Sequence, residues 1–199
     1  MPNGDPEIAI FLKAPRPGGV KTRLAGEIGE AGAVALYRRL AEDRLVAARE
    51  TGWPVVIWYA PADGYGDVSD WLGPAWRYRP QPDGDLGERM ALAFGAEPGS
   101  VVIVIGGDCP GLTTEVLQQA GAALERAPVV LGPALDGGYY LIGGRCPVPD
   151  LFSAMPWSTE GVIAETRRRL EAAGVEWVER PVLRDVDTSA DARAGGFSV

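Results

Sequence analysis

The feature that most constrains the fold is a run of five consecutive β-branched residues, Val-Val-Ile-Val-Ile, at positions 101–105. β-Branched side chains favour extended backbone, and a run without polar alternation predicts a strand that is buried on both faces. Such strands lie in the middle of largely parallel sheets that are covered by helices on both sides. The chain is therefore expected to be an α/β protein, with the end of this strand at the centre of the sheet edge.

Strand and helix patterns alternate along the rest of the chain. Further strands are predicted at 8–12, 55–59, 76–79, 129–131, 139–142 and 175–178, and helices at 30–50, 87–94, 113–126 and 160–173. The last helix is expected to be capped near Ser158 or Thr159. The alternation indicates a Rossmann-like three-layer sandwich with a mostly parallel central sheet, in which residues 1–199 form a single domain.

The amino-acid composition excludes several catalytic mechanisms and several kinds of metal ligand. The sequence contains no histidine, which excludes Ser-His-Asp and Cys-His catalysis and every imidazole metal ligand. Its two cysteines, Cys109 and Cys146, lack CxxC spacing and are expected to be reduced thiols. A bound metal must then be held mainly by oxygen, which suits Mg²⁺ or Mn²⁺.

Charge and hydropathy limit the classes of molecule that the protein is expected to bind. A formal net charge of −8 disfavours binding to a nucleic-acid polymer, whose backbone is held by basic surfaces. No apolar stretch approaches the roughly 18 residues of a membrane span, and the N-terminus lacks a signal-peptide pattern. We therefore expect a cytoplasmic protein with small-molecule ligands and no membrane span. The sequence does not define the oligomeric state and is compatible with a homo-oligomer.

The loop after the first predicted strand concentrates positive charge in this acidic chain. Lys13, Arg16, Lys21 and Arg23 lie close together with no acidic residue between them, and two glycines allow backbone amides to approach an anion. The loop is not a Walker A motif, because Val20 stands where a glycine must precede Lys-Thr. We interpret it as a phosphate cradle, with a solvated basic loop as the alternative.

The predicted central strand is followed by Gly-Gly-Asp-Cys-Pro-Gly-Leu at positions 106–112. The glycines permit close ligand approach, and Asp108 lies where open α/β sheets bind ligands. Asp108 is therefore the best candidate metal ligand, although it also fits a turn cap before Thr113. Other loop acids are weaker candidates because each also suits a turn, and Mg²⁺ takes only one or two protein carboxylates: Asp85, Asp136, Asp185 and Asp187.

The ordered motifs resemble the nucleotide-diphospho-sugar transferase superfamily with a GT-A-like fold, and in particular the glycosyltransferase-like family called radical-SAM/selenodomain-associated transferase 1. The resemblance covers nearly the whole chain, at residues 11–24, 81–90, 106–112, 136–143 and 185–188. The first motif, Phe-Leu-Lys-Ala-Pro-Arg-Pro-Gly-Gly-Val-Lys-Thr-Arg-Leu, is long and specific. The Gly-x-Asp-x-Pro element is also similar to molybdenum-cofactor and phospholactate guanylyltransferases.

The resemblance implies roles for individual residues. It implies nucleotide binding at Leu12, Lys13, Ala14, Lys21, Thr22, Arg23, Asp85 and Gly107. It implies a metal at Asp108, with Asp187 or Asp185 as second ligand, because one carboxylate stands where a DxD motif has two. The acceptor or donor sugar is assigned to Gly137, Gly138, Trp157, Ser158 and Thr159, of which Ser158 and Thr159 also fit helix capping and Trp157 a pocket wall.

Three functions remain open from the sequence. The first is glycosyl transfer from a nucleotide-diphospho-sugar to a small acceptor, with Lys21 and Arg23 stabilising the departing diphosphate and Asp136 as base. The second is nucleotidyl transfer to a small phosphorylated acceptor, which attacks the α-phosphorus of a nucleoside triphosphate. The third is non-catalytic binding of a nucleotide or sugar. We expect a metal-dependent transferase, with glycosyl transfer preferred.

Overall fold

The structure, a computed structural model, describes residues 4–95, 99–146 and 150–199. In chain order its strands and helices are β1 (Glu7–Lys13), α1 (Thr22–Glu50), β2 (Val55–Ala60), α2 (Tyr65–Leu72), β3 (Arg77–Pro80), α3 (Leu86–Gly95), β4 (Val101–Gly106), α4 (Thr114–Leu124), β5 (Val129–Pro133), β6 (Tyr139–Arg145), α5 (Val162–Ala172), β7 (Trp177–Glu179) and α6 (Ser189–Ala194). A short 3₁₀ turn, Ala62–Gly64, precedes α2.

The strands form one seven-stranded sheet in the order β3-β2-β1-β4-β6-β5-β7. The β-branched run is β4, the middle strand, and it pairs in parallel with β1. Only β6 runs against its neighbours, because it is antiparallel to both β4 and β5. The prediction of a buried central strand in a mostly parallel sheet is confirmed, and the β5–β6 hairpin lies at the carboxyl edge of the parallel strands.

Alternating side chains divide the hydrophobic core between the two faces of the sheet. Ile8 and Ile10 of β1 pack in the cluster that includes residues of α1 and α4. Ala9 of the same strand packs in the opposite cluster with residues of α3 and α5. Period-two alternation in β1 thus directs neighbouring side chains to opposite helical layers. The three-layer α/β sandwich predicted from the sequence is confirmed.

The first helix begins earlier than predicted. It starts at Thr22 instead of residue 30, and Gly29 interrupts it with non-helical angles of φ 77° and ψ 160°. Glycine adopts this conformation without a side-chain clash, so the interruption falls where the sequence allows it. Lys21, directly before the helix, has left-handed angles of φ 46° and ψ 47°. The end of the predicted cationic loop is therefore the first turn of a helix.

Other predictions at helix ends are corrected. The N-cap of α5 is Gly161, without a side-chain capping bond, so Ser158 and Thr159 do not cap it. The sequence analysis also missed α2 and α6, although α6 carries a capping box between Thr188 and Asp191. Across the residues that the structure describes, no helix combines the length and apolarity needed to cross a membrane.

Candidate functional site

The two carboxylates favoured as metal ligands lie on either side of one lysine at the carboxyl edge of the sheet. Asp108 follows the end of β4, and Asp187 lies just before α6. The Nζ atom of Lys21 donates to Asp108 Oδ2 at 2.7 Å and to Asp187 Oδ1 at 3.1 Å. Three predicted site residues that are distant in the sequence therefore meet at one point.

Lys21 is the most buried member of this group. Its side chain is 7% exposed, compared with 37% for Asp108 and 43% for Asp187. Burial by itself would lower the pKa of Lys21, but the charges and hydrogen bonds of the two carboxylates outweigh it and raise the pKa. Lys21 is therefore a fixed positive charge. Arg23, by contrast, is 82% exposed, with Nη1 3.7 Å from Asp187 Oδ2.

Hydrogen bonds to two of its carbonyl oxygens hold the Asp108 loop from two sides. The amide of Val186 donates to the carbonyl oxygen of Asp108 at 3.0 Å, which joins this loop to the segment that carries Asp187. From α1, Nη1 of Arg44 donates to the carbonyl oxygen of Cys109 at 2.5 Å. Arg44 is buried, and desolvation lowers the pKa of its guanidinium. This buried arginine, which the sequence analysis missed, positions the loop.

Asp185 is a partly buried carboxylate of the same cluster. Its Oδ1 atom has no hydrogen-bond partner among the described residues. Burial, followed by the negative charges of Asp108 and Asp136, raises the pKa of Asp185 to about 7. The buried Cys109 thiol lies next to it, and desolvation raises the pKa of that thiol as well. The two carboxylate hydrogen bonds of Lys21 go to Asp108 and Asp187, so Asp187, and not Asp185, shares the lysine with Asp108.

A cavity of 340 Å³ opens in front of the two carboxylates. It is lined by Phe11, Lys13, Val20, Lys21, Thr22, Arg23, Tyr37, Gly106, Gly107, Asp108 and Asp187, which include most of the residues predicted to bind the nucleotide. Tyr37 of α1 was not predicted. Its hydroxyl accepts from the amide of Lys13 at 2.7 Å and donates to the Lys13 carbonyl at 3.0 Å. Tyr37 thus fixes the end of β1 beside the cavity.

Gly107 makes a close backbone approach beneath this cavity. A Cβ atom at Gly107 would lie 2.7 Å from Cδ2 of Leu12 and 3.4 Å from Cβ of Ala41. Leu12 itself is buried in the hydrophobic core. Gly107 therefore allows the β4 loop to lie against the end of β1, and any contact of Leu12 with a ligand would use its backbone.

A second cavity, of 400 Å³, lies beside the first and shares Lys13 with it. It is lined by Lys13, Ala14, Arg16, Gly19, Ala60, Pro61, Ala62, Gln81, Pro82, Asp83 and Arg89. The Nε2 atom of the buried Gln81 donates to the carbonyl oxygens of Trp58 at 2.7 Å and Leu12 at 3.4 Å. Its Oε1 atom accepts from Nη1 of Arg89 at 3.4 Å. Both residues belong to the motif 81–90, but the sequence assigned neither of them a role.

One cation of the predicted phosphate cradle has a different role. Arg16 forms ion pairs with Asp63 at 3.2 Å and Asp67 at 2.6 Å. It thereby ties the loop after β1 to the start of α2 and lines the second cavity instead of the first. The cradle beside Asp108 consists of the other three cations.

Asp136 is an exposed residue of the β5–β6 hairpin and does not line the 340 Å³ cavity. Its Oδ1 atom accepts from the amide of Gly138 at 2.9 Å. Gly137 contacts the segment before α5, because a Cβ atom there would lie 2.3 Å from the carbonyl oxygen of Glu160. The amide of Ile163 donates to the Gly137 carbonyl at 2.9 Å. The hairpin is thus held against α5 while the Asp136 carboxylate stays accessible.

Trp157 and Asp85 lie together at the start of α3. A Cβ atom on Gly87 would be 2.9 Å from Cζ2 of Trp157 and 3.1 Å from Oδ1 of Asp85. Trp157 also makes an edge contact with Tyr139, with ring centroids 6.3 Å apart. Asp85 exchanges hydrogen bonds with Glu88, each carboxylate accepting from the other residue's amide at 2.9 Å. The structure therefore shows Asp85 as a helix cap.

The next two residues form a tight turn. Ser158 has a positive φ of 62°, which is uncommon for a residue other than glycine. The Thr159 hydroxyl donates to the Pro156 carbonyl at 2.7 Å and accepts from the Gly161 amide at 3.3 Å. Thr159 therefore stabilises the turn, and both residues are exposed.

The donor set fits a divalent cation that arrives with part of its own ligands. Asp108 and Asp187 each place a carboxylate oxygen within hydrogen-bond distance of one buried positive charge. Within the described ranges, no three carboxylate, cysteine or histidine side chains form a ready metal cage. Mg²⁺ and Mn²⁺ bind in this way, with one or two carboxylates and the rest from substrate phosphates and water. The site therefore suits a metal–phosphate complex better than a metal alone.

This combination of fold and site defines the class of nucleotide-using transferases. Within that class, the chain belongs to the family described as "Uncharacterized protein conserved in bacteria (DUF2064)", which matches residues 44–159. The resemblance to the nucleotide-diphospho-sugar transferase superfamily is confirmed by solved structures. No curated protein sequence matches the chain.

Three solved structures illustrate the likeness. A provisionally assigned nucleotide-diphospho-sugar transferase from Desulfovibrio desulfuricans G20 is 36% identical with a TM-score of 0.89, and the match covers 96% of this chain and 86% of that chain. CMP:2-keto-3-deoxy-manno-octonic acid synthetase complexed with CTP is 15% identical with a TM-score of 0.59, covering 95% and 96%. Rv0371c of Mycobacterium tuberculosis H37Rv, in complex with manganese, is 16% identical with a TM-score of 0.59, covering 95% and 97%. The last two likenesses concern the fold alone.

Proposed function

We propose that residues 1–199 form one metal-dependent transferase domain that moves a glycosyl group from a nucleotide-diphospho-sugar to a small acceptor. The observation that carries the proposal is the pair of carboxylates, Asp108 and Asp187, around Lys21 at the mouth of a 340 Å³ cavity. Cations and a metal site at one point suit a diphosphate, which carries several negative charges and binds Mg²⁺ or Mn²⁺.

The two joined cavities suit the two ends of the nucleotide. The nucleoside occupies the 400 Å³ cavity beside Gln81, and the diphosphate reaches past Lys13 into the 340 Å³ cavity. There Lys21 and Arg23 bind phosphate oxygens, and Asp108 and Asp187 would hold the metal. Mg²⁺ or Mn²⁺ held there would supply Lewis-acid neutralisation of the charge on the diphosphate.

The reaction then needs one carboxylate on the acceptor side. The bond between the anomeric carbon and the diphosphate oxygen breaks, and the diphosphate leaves with the electron pair. The acceptor hydroxyl oxygen bonds to the anomeric carbon, and its proton passes to the carboxylate of Asp136. Lys21 and Arg23 stabilise the charge that grows on the leaving diphosphate. Trp157 and Ser158 border the acceptor.

The distribution of charge favours glycosyl over nucleotidyl transfer. The stretch 134–161, which contains Asp136 and the residues around it, has one basic residue, Arg145. Arg145 ends β6, and because β6 is antiparallel to β4, it lies at the opposite edge of the sheet. Two arginines from other segments lie near this stretch, but Arg169 is engaged by the Ser153 and Ala154 carbonyls and Arg184 by Asp191. A phosphorylated acceptor would face the carboxylates of Asp136 and Glu160. An uncharged hydroxyl acceptor avoids that repulsion.

A panel of nucleotides tests the proposal. Nucleoside diphosphates, triphosphates and nucleotide sugars are added with and without Mn²⁺ while the melting temperature is followed, since a ligand of the folded state raises it. We expect diphosphates and nucleotide sugars to raise it in a metal-dependent way, and we expect release of nucleoside diphosphate when a sugar donor is turned over. Release of pyrophosphate from a triphosphate would instead establish nucleotidyl transfer. Binding without either product would establish a sensor, and no shift with any nucleotide would refute the proposal.

A further inference from the structure

The position suited to the metal is already taken by a protein cation. The Nζ atom of Lys21 contacts one oxygen of each carboxylate, at 2.7 Å from Asp108 and 3.1 Å from Asp187. A Mg²⁺ ion binds carboxylate oxygens at about 2.0–2.1 Å. To be held by both carboxylates it would have to lie close to the oxygens that Nζ contacts, where the ammonium would be a neighbouring like charge. The ammonium and the metal therefore compete for the same two carboxylates.

Lys21 also lacks an easy alternative position. Only 7% of its side chain is exposed, and its backbone is fixed directly before α1. Moving the ammonium away from both carboxylates without a new partner would leave a buried charge unpaired, which is strongly unfavourable. The 340 Å³ cavity is the space next to it, and this is where the proposed function puts the diphosphate. A phosphate oxygen there can accept the hydrogen bond that a carboxylate gives up.

We propose that Lys21 is an internal counter-ion that keeps divalent metal out of the Asp108–Asp187 site until a nucleotide phosphate takes over its ammonium. The inference rests on the proposed function for the identity of the phosphate, but the competition between Lys21 and the metal does not. Metal and nucleotide then enter together, and each raises the affinity for the other by the same factor, because coupling between two binding equilibria is reciprocal. Lys21 thereby protects the site from metal without substrate.

Two neighbouring cations provide matched controls. Lys13 lines the same cavity, and its ammonium forms no ion pair in the described part of the chain. Arg23 approaches Asp187 at 3.7 Å but is 82% exposed. Replacing either one removes a positive charge from the cavity while Lys21 stays between the carboxylates. A general change of electrostatic potential would therefore affect all three variants, whereas specific competition affects only Lys21.

The experiment measures Mn²⁺ binding by the loss of the free-ion electron paramagnetic resonance signal. Wild-type protein is compared with Lys21→Met, Lys13→Met and Arg23→Met, each with and without a nucleoside diphosphate. We expect Lys21→Met to bind Mn²⁺ alone at least about tenfold more tightly than wild type, in the range of measured site-to-site couplings. Nucleoside diphosphate should raise the Mn²⁺ affinity of wild type by a comparable factor and that of Lys21→Met much less. Both controls should resemble wild type for Mn²⁺ alone.

A second variant covers the case in which Lys21→Met does not fold, as judged by circular dichroism. Lys21→Gln also removes the charge but retains a hydrogen-bond donor for the carboxylates, and the same result is expected. Mn²⁺ affinity that is unchanged in the folded Lys21 variants, or equally raised in the controls, would overturn the inference. Tighter Mn²⁺ binding by Lys21→Met with no nucleotide binding by any protein would support the counter-ion role and refute the proposed function.

Discussion

The two halves of the site differ in how firmly their residues are held. On the side that we propose binds the donor, the donor half, Lys21 is fixed by two carboxylates, the Asp108 loop is held by Val186 and Arg44, and the end of β1 is fixed by Tyr37. On the side that we propose faces the acceptor, the acceptor half, the Asp136 carboxylate accepts one local backbone hydrogen bond and is exposed. The donor half is a rigid electrostatic site, while the acceptor half is an open surface.

This difference separates two tasks. Charge stabilisation works best when its donors are oriented before the reaction, and the contacts of the donor half provide this. Substrate selection commonly depends on loops that a rigid scaffold positions. The hairpin with Asp136 and the turn at Trp157 are loops of this kind, held on β6 and α5. We infer that donor binding and acceptor chemistry can be changed independently, and the following variants test that separation.

The largest effect is expected for Asp108→Asn on the donor side. It removes a negative charge that pairs with Lys21 and that is proposed to hold the metal once a nucleotide has bound. Metal charge stabilisation is worth several kcal/mol, or about a thousandfold in rate or more. The variant should lose both its activity and its Mn²⁺-dependent binding of nucleotide. Calorimetric titration of nucleotide with and without Mn²⁺ measures this. Asp70→Asn, an exposed carboxylate in α2, is the matched control and should behave as wild type. Metal-dependent binding retained by Asp108→Asn would contradict the donor-side assignment.

A smaller effect, confined to catalysis, is expected for Asp136→Asn. The amide cannot accept the acceptor proton, and loss of a general base costs about a hundredfold in kcat at the lower end of the usual range. We expect a loss at the lower end of this range because Asp136 is exposed, so water can accept part of the proton in its place. Nucleotide affinity should not change, because Asp136 lies outside the cavity of the diphosphate. Steady-state kinetics and nucleotide titration of the same preparation give both values, and a parallel loss of nucleotide affinity would refute the separation of the two halves.

The sequence predicted the framework of the site because its signals are local. The β-branched run identified the central strand, and the topology of parallel strands then placed Asp108 at the carboxyl edge. The partners of these residues are set by tertiary contacts. Arg44 lies among apolar residues of α1, and an arginine in an apolar stripe is the only local sign of its contact with the Cys109 carbonyl. Nothing local indicated that Asp63 and Asp67 would pair with Arg16.

The start of α1 was also not predictable from local sequence signals. Helical periodicity was visible from residue 30, but Gly29 interrupts the pattern, so the first turns from Thr22 read as loop. The first turn of α1 is important for the site because it follows Lys21 directly, and Lys21 lies between two carboxylates that come much later in the sequence. The positive charge of the loop was predictable from the sequence. Which of its cations lies beside Asp108 depends on long-range pairing, which places Lys21 there and pairs Arg16 with Asp63 and Asp67.

Arg44→Met should weaken the scaffold of the donor half. The variant removes the guanidinium donor from the Cys109 carbonyl, which keeps only its bond from the Leu112 amide at 3.1 Å. Loss of a hydrogen bond that involves a charged group costs about 1.5–3 kcal/mol of folding free energy. Urea unfolding measures the change, and Arg39→Met, an exposed arginine of the same helix, is the matched control. Mn²⁺–nucleotide affinity should also fall, because Asp108 is next to Cys109. Equal stability of the two variants would show that the Arg44 contact does not hold the loop.

The smallest effect is expected for Arg23→Met, and it distinguishes rigid from exposed cations within the donor half. Arg23 is 82% exposed and 3.7 Å from Asp187, and exposed ion pairs contribute less than about 1 kcal/mol. Nucleoside diphosphate affinity should therefore fall by no more than about fivefold. Added salt screens exposed charges, so the difference from wild type should shrink as ionic strength rises. Titrations at low and high salt measure this, with Lys21→Met as the comparison whose loss should persist at high salt because Lys21 is buried. A large, salt-independent loss in Arg23→Met would mean that Arg23 closes over the bound diphosphate and belongs to the rigid part of the site.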